Sequence, residues 1–278
     1  MSADPCGFVP RELRREVTRA ESGQIVVDTA SLSVRESLRD LNTKRRIRRM
    51  RRVVISSADA ARHVLETSGF RYQAWFVTLT YRSDGLWTGK HISDYLRRVR
   101  NRAADEGVSL RYQWVLELTK RGRPHYHVIW WAPHGYKLEK ADEFGDWRWG
   151  FTNTALALRP VGYVVKYASK GGDSCQVGRV PKGARLFGVG GGNRDEKHVA
   201  HRAGLPMWLD ACLPEEDRAR RVPRVGFVGT VSGQVFASPF RVGWHRDNFG
   251  IVIVTITRVS DETQSQVVAG FRAQGRLQ

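Results

Sequence analysis

From Trp75 the chain runs Trp75, Phe76, Val77, Thr78, Leu79, Thr80 and Tyr81, an aromatic and β-branched stretch closed by the turn signal Ser83-Asp84-Gly85. Such a run predicts a buried strand. Ile92, Tyr95, Leu96, Val99 and Ala103 then recur at helical spacing, with Arg97, Arg98, Arg100 and Arg102 on other faces and Gly107 as a stop. That pattern predicts a basic amphipathic helix covering the sheet. Two further strands, Leu110 to Leu118 and His125 to Trp131, flank the polar turn Lys120-Arg121-Gly122-Arg123 and predict a hairpin. A loop carrying Trp147, Trp149 and Gly150 leads into a helix around Val161 to Ser169, stopped at Gly171-Gly172. The chain is then glycine-rich through Gly192, and Gly188-Val189-Gly190-Gly191-Gly192 reads as a flexible turn. From Arg224 it is β-like again, with a hairpin at Ser232-Gly233 and a strand at Phe249 to Thr257.

Strands separated by helices but joined by a tight hairpin predict an α+β fold with a mainly antiparallel central sheet covered by helices, not a doubly wound one. Upstream, the chain to about Gly69 reads as helical and strongly basic. Three regions follow: a basic helical extension at 1–69, a central domain at 70–172, and a glycine-rich linker with a small β-rich region at 173–278.

The 278 residues carry 46 Lys+Arg against 28 Asp+Glu, a formal net charge of +18. Hydrophobic content of 41% with nine Trp excludes a disordered polycation, so the charge points to a folded protein with a polyanionic partner. Lys44 to Arg52 holds seven basic residues in nine, with no acid between Leu41 and Ala58. Such density repels itself unless phosphates screen it, which makes Arg45, Arg46, Arg48 and Arg49 candidate nucleic-acid contacts. No segment approaches the roughly 18–20 apolar residues of a membrane span. Met1 to Pro10 lacks the order of a secretory signal, and Cys6, Cys175 and Cys212 are too far apart to suggest a zinc knuckle or redox pair. A soluble protein in a reducing cytoplasm, without a membrane partner, is expected.

The chemistry concentrates in two places. His125 and His127 stand two apart on a strand, so their imidazoles share a face while Tyr126 points the other way. If the hairpin centres near Arg121, Glu117 lies opposite His125 on that same face. Two imidazoles and a carboxylate make a facial metal site suited to Mg²⁺ or Mn²⁺ acting on phosphate oxygens. The same set also serves Zn²⁺ hydrolases and non-haem Fe²⁺ oxygenases, and a His-x-His pair also occurs as two ordinary strand histidines.

The second place is Tyr163-Val164-Val165-Lys166-Tyr167-Ala168-Ser169-Lys170. With Tyr163 at zero and ~100° per residue, Lys166, Tyr167 and Lys170 fall near roughly −60°, +40° and −20°. They share one polar arc, and Val164, Val165 and Ala168 form the opposite stripe expected to pack on the sheet. A phenol with an ordinary pKa of ~10 needs cations beside it to attack near neutrality. Tyrosine, lysine and metal together suit phosphodiester transesterification.

In order, the strand Phe76-Val77-Thr78-Leu79-Thr80-Tyr81, the pair His125-Tyr126-His127 and the helix Tyr163 to Lys170 resemble the three motifs of the HUH endonucleases, the rolling-circle replication initiators and their relatives. The Tyr-x-x-x-Tyr-x-x-Lys form looks like the two-tyrosine branch used by phage replication initiators. The resemblance implies an HUH/RRM-like palm, with His125, His127 and Glu117 as ligands of Mg²⁺ or Mn²⁺. It makes Tyr163 and Tyr167 alternating nucleophiles, with Lys166 and Lys170 positioning or neutralising the phosphate. It further implies a 5′-phosphotyrosine link and a free 3′-OH that primes synthesis on single-stranded origin DNA. Some single-tyrosine members also carry a following lysine, so Tyr163 with Lys166 acting alone is the other form.

The chain has no G-x-x-x-x-G-K-[ST] loop, so unwinding and synthesis are expected from a host helicase and polymerase. Arg97, Arg98, Arg121 and Arg123 join the 44–52 run as candidate phosphate contacts, and Trp87, Trp130 or Trp131 as candidate base-stacking residues. The rival readings are a non-enzymatic basic DNA-binding protein and a same-fold HUH transposase or relaxase.

Overall fold

The computed structural model describes residues 17–19, 25–27, 34–83, 86–119, 122–170, 184–223, 225–246 and 252–259. In chain order the first elements are β1 (Val17–Arg19), β2 (Ile25–Val27) and the long helix α1 (Val34–Thr67). The region expected to be helical up to Gly69 therefore also holds a small antiparallel strand pair. Next come β3 (Tyr72–Leu79), α2 (His91–Asp105), β4 (Arg111–Leu118), β5 (Pro124–Pro133), β6 (Thr152–Leu156), α3 (Pro160–Lys170) and β7 (Phe187–Gly190). The fold is α+β. The five strands form one sheet in the order β6-β3-β5-β4-β7, and every neighbouring pair is antiparallel.

Alternation along the strands sorts side chains to two buried faces. On one face Val77, Leu79, Trp114, Leu116, Tyr126, Val128 and Trp130 pack with Ile92, Tyr95, Leu96 and Val99 of α2 and with Trp147. On the other, Ala74, Phe76, Val115, Ile129 and Trp131 pack with Ile47, Met50, Val54, Ala58 and Ala61 of α1 and with Val164 and Ala168 of α3. Trp114, Trp130, Trp131 and Trp147 are fully buried. Each buried aromatic removes roughly 150–250 Å² from water, so these rings dominate the core. Trp130 and Trp131 are thus core residues and not the base-stacking surface expected of them. Trp87 is half-buried, and its Nε1 donates to the Tyr126 hydroxyl at 2.7 Å.

The expected flexible turn at Gly188 to Gly192 is in part a strand. Phe187–Gly190 pairs with β4, Gly188 opposite Trp114 and Gly190 opposite Tyr112. A Cβ on Gly188 would collide with the Trp114 indole, which explains why the edge strand has no side chain at this position. Its composition mimics a loop, but the glycines make room for the aromatic residues of β4.

Contacts divide the chain into two compact units, Asp40–Leu205 and Met1–Arg39 with Pro206–Gln278. The first holds the central sheet with α2, α3 and most of α1, followed by α4 (Arg194–Ala203). The second holds α5 (Met207–Cys212), the three-stranded sheet β8 (Ala219–Val222), β9 (Gly226–Gly229) and β10 (Val235–Phe236), and the pair β11 (Phe240–Arg246) and β12 (Val252–Arg258). The expected hairpin at Ser232-Gly233 joins β9 to β10. Of the expected strand at Phe249 to Thr257, residues 249–251 lie outside the described residues and the rest is in β12. Among the described residues, no helix is long and apolar enough to cross a membrane.

Candidate active site

The β4–β5 hairpin sets the first half of the site. Its turn is tied by Thr119 N to Arg123 O at 2.9 Å and Gly122 N to Thr119 O at 2.8 Å, with Gly122 in the left-handed region at φ 82°. This turn fixes the register: Glu117 pairs with His125 and Val115 with His127. On the far side of β5, Thr78 pairs with His127. Glu117, His125, His127 and Thr78 therefore share one face of the sheet, and Tyr126 is buried on the other.

His127 is the centre of this group. Its Nε2 lies 2.8 Å from Glu117 Oε2 and its Nδ1 lies 3.3 Å from Thr78 Oγ1. The imidazole is 7% exposed, so these contacts are little diluted by water. In this arrangement Nε2–H donates to the carboxylate and Nδ1 accepts from the hydroxyl. Because a hydroxyl either donates or accepts, Thr78 also supports the opposite tautomer, in which Nε2 presents a lone pair. Burial, then the neighbouring His127, lowers the His125 pKa against the opposing pull of Glu117; the Arg123 charge lowers it too. His125 is accordingly held neutral, the form that ligates metal.

Helix α3 supplies the second half. Pro160 occupies its first position, where a missing N–H is harmless. At its other end, Arg51 of α1 donates Nε–H to the Ala168 carbonyl at 3.0 Å, satisfying one of the carbonyls that a helix end leaves open. Val164 and Ala168 are buried, as expected of the packing stripe, whereas Val165 is 38% exposed. The helix is rotated so that Tyr163 and Tyr167, and not Val165, flank the buried stripe.

Phe76 accounts for that rotation. Its ring stacks on Tyr163 at 4.9 Å, on Tyr167 at 5.3 Å and on His127 at 5.6 Å between centroids. Tyr167 in turn stacks on the His127 imidazole at 3.8 Å with a 22° interplanar angle. Lys166 is exposed, with Nζ 5.5 Å from the centroid of the Tyr167 ring. Burial, then the Glu117 carboxylate and Tyr163, raises the Tyr167 pKa. Lys170 ends the helix, but its side chain lies outside the described residues. A cavity of only about 10 Å³ opens among Phe76, His127, Tyr163 and Tyr167, about the size of one water. A nucleotide must therefore meet these groups from outside.

Among the described residues, no three His, Cys, Asp or Glu side chains stand close enough together to hold a metal ion. One pair is nevertheless spaced as two ligands of a single ion would be. The 2.8 Å between His127 Nε2 and Glu117 Oε2 is close to the ~3 Å between adjacent ligands on an octahedral ion bound at ~2.1 Å. His125 pairs with Glu117 across the hairpin on the same face.

The expected phosphate contacts fall into separate groups. Arg45, Arg48 and Arg49 are exposed on α1, spread over an arc of roughly 100°. Arg46 is exposed too, but its Nη2 donates to the Ala184 carbonyl at 2.9 Å. Arg123 sits beside the histidines, and Arg121 lies outside the described residues. Arg97 and Arg98 belong to α2, which packs on the opposite face of the sheet from the imidazoles. Arg97 pairs with Asp94 at 3.5 Å, and Arg98 donates to the Asp146 carbonyl at 3.0 Å.

A five-stranded antiparallel sheet with helices packed on both faces is an α+β architecture consistent with an HUH/RRM-like palm. Residues 74–172, from β3 to just past the end of α3, match the family of replication-associated proteins of the ORF2 and gene 2 protein type. No curated protein and no solved structure matches the chain.

Proposed function

We propose that the protein is a rolling-circle replication initiator that nicks and rejoins single-stranded origin DNA through a covalent tyrosine intermediate. The observation that carries this reading is the stack of Tyr167 on His127, 3.8 Å between rings, with His127 in turn 2.8 Å from Glu117. It brings a phenol, an imidazole and a carboxylate to one patch of sheet, where His125 pairs with Glu117 in the register. The family match over residues 74–172 supports a role in replication.

Glu117, His125 and His127 would hold a Mg²⁺ or Mn²⁺ ion, whose charge would polarise the scissile phosphate. One tyrosine oxygen forms a bond to phosphorus as the bond to the 3′ oxygen breaks. The phenol proton leaves to solvent or a nearby base, and the departing 3′ oxygen takes up a proton. The products are a 5′-phosphotyrosine and a free 3′-OH. Because one phosphodiester replaces another, no nucleotide hydrolysis is needed, and attack by a hydroxyl on the phosphotyrosine rejoins the strand. Lys166 and Lys170 would offset phosphate charge beside the phenols. Tyr163 and Tyr167 both stack on Phe76, which supports alternating use of the two.

The test is to incubate the full chain with Mn²⁺ and labelled single-stranded oligonucleotides tiling the DNA around its own coding region. A labelled protein band that survives a denaturing gel is expected for one tile. Specific binding without any such band on any tile would instead favour a non-enzymatic DNA-binding protein.

A further inference from the structure

Phe151 stands out among the large apolar side chains of the described residues because it is exposed on rigid backbone beside the candidate active site. It is 75% exposed and immediately precedes β6. Its carbonyl accepts from Thr80 N at 3.0 Å and from Thr80 Oγ1 at 2.8 Å. The next residue, Thr152, is buried, and its N and Oγ1 both donate to the Asp142 carboxylate. Just before it, Gly150 lies so close to β3 that a Cβ there would collide with the Thr80 carbonyl oxygen. This close approach holds the segment against the end of β3.

Alternation sets the direction of the ring. Thr152 pairs with Leu79, whose side chain enters the α2-side core. Phe151 and Asn153 therefore take the opposite face, that of His127. Asn153 pairs with Thr78 and Thr78 with His127, two strand spacings apart, or about 10 Å. Phe151 stands one row further toward the end of the sheet that carries His125 and Glu117. Two exposed arginines belong to the backbone that leads up to it and to the segment bonded to that backbone. Arg82 N donates to the Trp149 carbonyl at 2.9 Å and Arg82 Nη2 to the Arg148 carbonyl at 2.8 Å, while Arg148 Nε donates to Gly145 O at 3.4 Å. A guanidinium has five N–H donors, so one side-chain bond to the backbone leaves each with capacity for a phosphate.

An exposed aromatic ring on fixed backbone, with cations on the adjoining segments, is an arrangement that binds unpaired nucleic acid: the ring stacks a base and the cations track the backbone. We propose that Phe151 is a stacking platform for an unpaired base next to the scissile phosphate, with Arg82 and Arg148 holding flanking phosphates. The inference rests on the reading of this face as the DNA site and assigns that site a base-stacking residue, which needs an unpaired base because one within a duplex has no open face to offer.

The experiment measures binding, without metal, of fluorescein-labelled dT12 and of a twelve-unit abasic phosphodiester by fluorescence anisotropy. Phe151→Ala and Phe151→Leu are expected to weaken dT12 binding about 5–30-fold and leave the abasic backbone within about two-fold. Phe151→Trp is expected to retain or tighten dT12 binding. The double change Arg82→Gln with Arg148→Gln weakens both ligands and flattens the salt dependence. The proposal is overturned if Phe151→Ala binds dT12 as the unaltered chain does, or if it loses both ligands equally. Because no metal and no cleavage enter this measurement, its failure is distinct from failure to form the tyrosine adduct.

Discussion

His127 Nε2 meets Glu117 Oε2 at 2.8 Å across the hairpin, diagonal to the Glu117–His125 pair in the strand register. If these groups hold a divalent ion, Glu117→Ala removes its anionic donor. Manganese affinity measured by isothermal titration calorimetry is expected to fall by roughly 10-fold or more, and Thr78→Val, which removes the partner of Nδ1, by roughly 10–100-fold. Unchanged affinity in Glu117→Ala would exclude the carboxylate as a ligand.

Tyr163→Phe and Tyr167→Phe keep both rings against Phe76 and remove only the hydroxyls. Each single variant is expected to retain covalent adduct formation, and the double variant to lose it entirely on denaturing gels. Adduct in the double variant would place the nucleophile elsewhere. Loss in Tyr163→Phe alone would reduce the mechanism to one tyrosine.

Two kinds of arginine on α1 separate experimentally. Arg45, Arg48 and Arg49 are exposed, and changing all three to Gln is expected to flatten the slope of log affinity against log salt for single-stranded DNA by up to about 2, at roughly 0.7 per lost phosphate contact. Their unfolding midpoint should not move. Arg51, bonded to the Ala168 carbonyl, behaves oppositely: Arg51→Gln is expected to destabilise by ~1–2 kcal/mol in urea unfolding. A triple variant that keeps the full salt slope would remove α1 from the DNA surface.

Asp217 gives a pH dependence in the C-terminal unit. Burial pushes its carboxyl up, but hydrogen bonds from the Ser232 hydroxyl and from the Val231, Ser232 and Arg218 amides outweigh this and bring its pKa down to about 2. Its unfolded value is near 3.9. The stabilisation is therefore complete above about pH 4 and is lost as pH falls toward 2. Thermal unfolding at pH 5 and pH 2.5 should show the loss, and Asp217→Asn should shrink the difference. An undiminished difference would assign the acid sensitivity to other carboxylates.

The hairpin and its ligand pairing are legible in the sequence because Glu117 and His125 are equidistant from Arg121, and strand register is a matter of counting. The tyrosine helix is legible for the same kind of reason. Its rotation about its axis is not. Periodicity alone places Val165 inside and the phenols on a solvent face, whereas Phe76, far upstream in the chain, draws both rings against the sheet. The edge strands are missed on composition: Thr152–Leu156 is short and largely polar or exposed, and Phe187–Gly190 is half glycine. Arg98 reads as a phosphate contact from charge alone, but the side of the sheet it occupies depends on where α2 packs.

The guanidinium of Arg51 also has a mechanical consequence. It fastens the end of the tyrosine helix to the same long helix that displays Arg45, Arg48 and Arg49. A load applied along that long helix would be passed on to the body that carries the phenols.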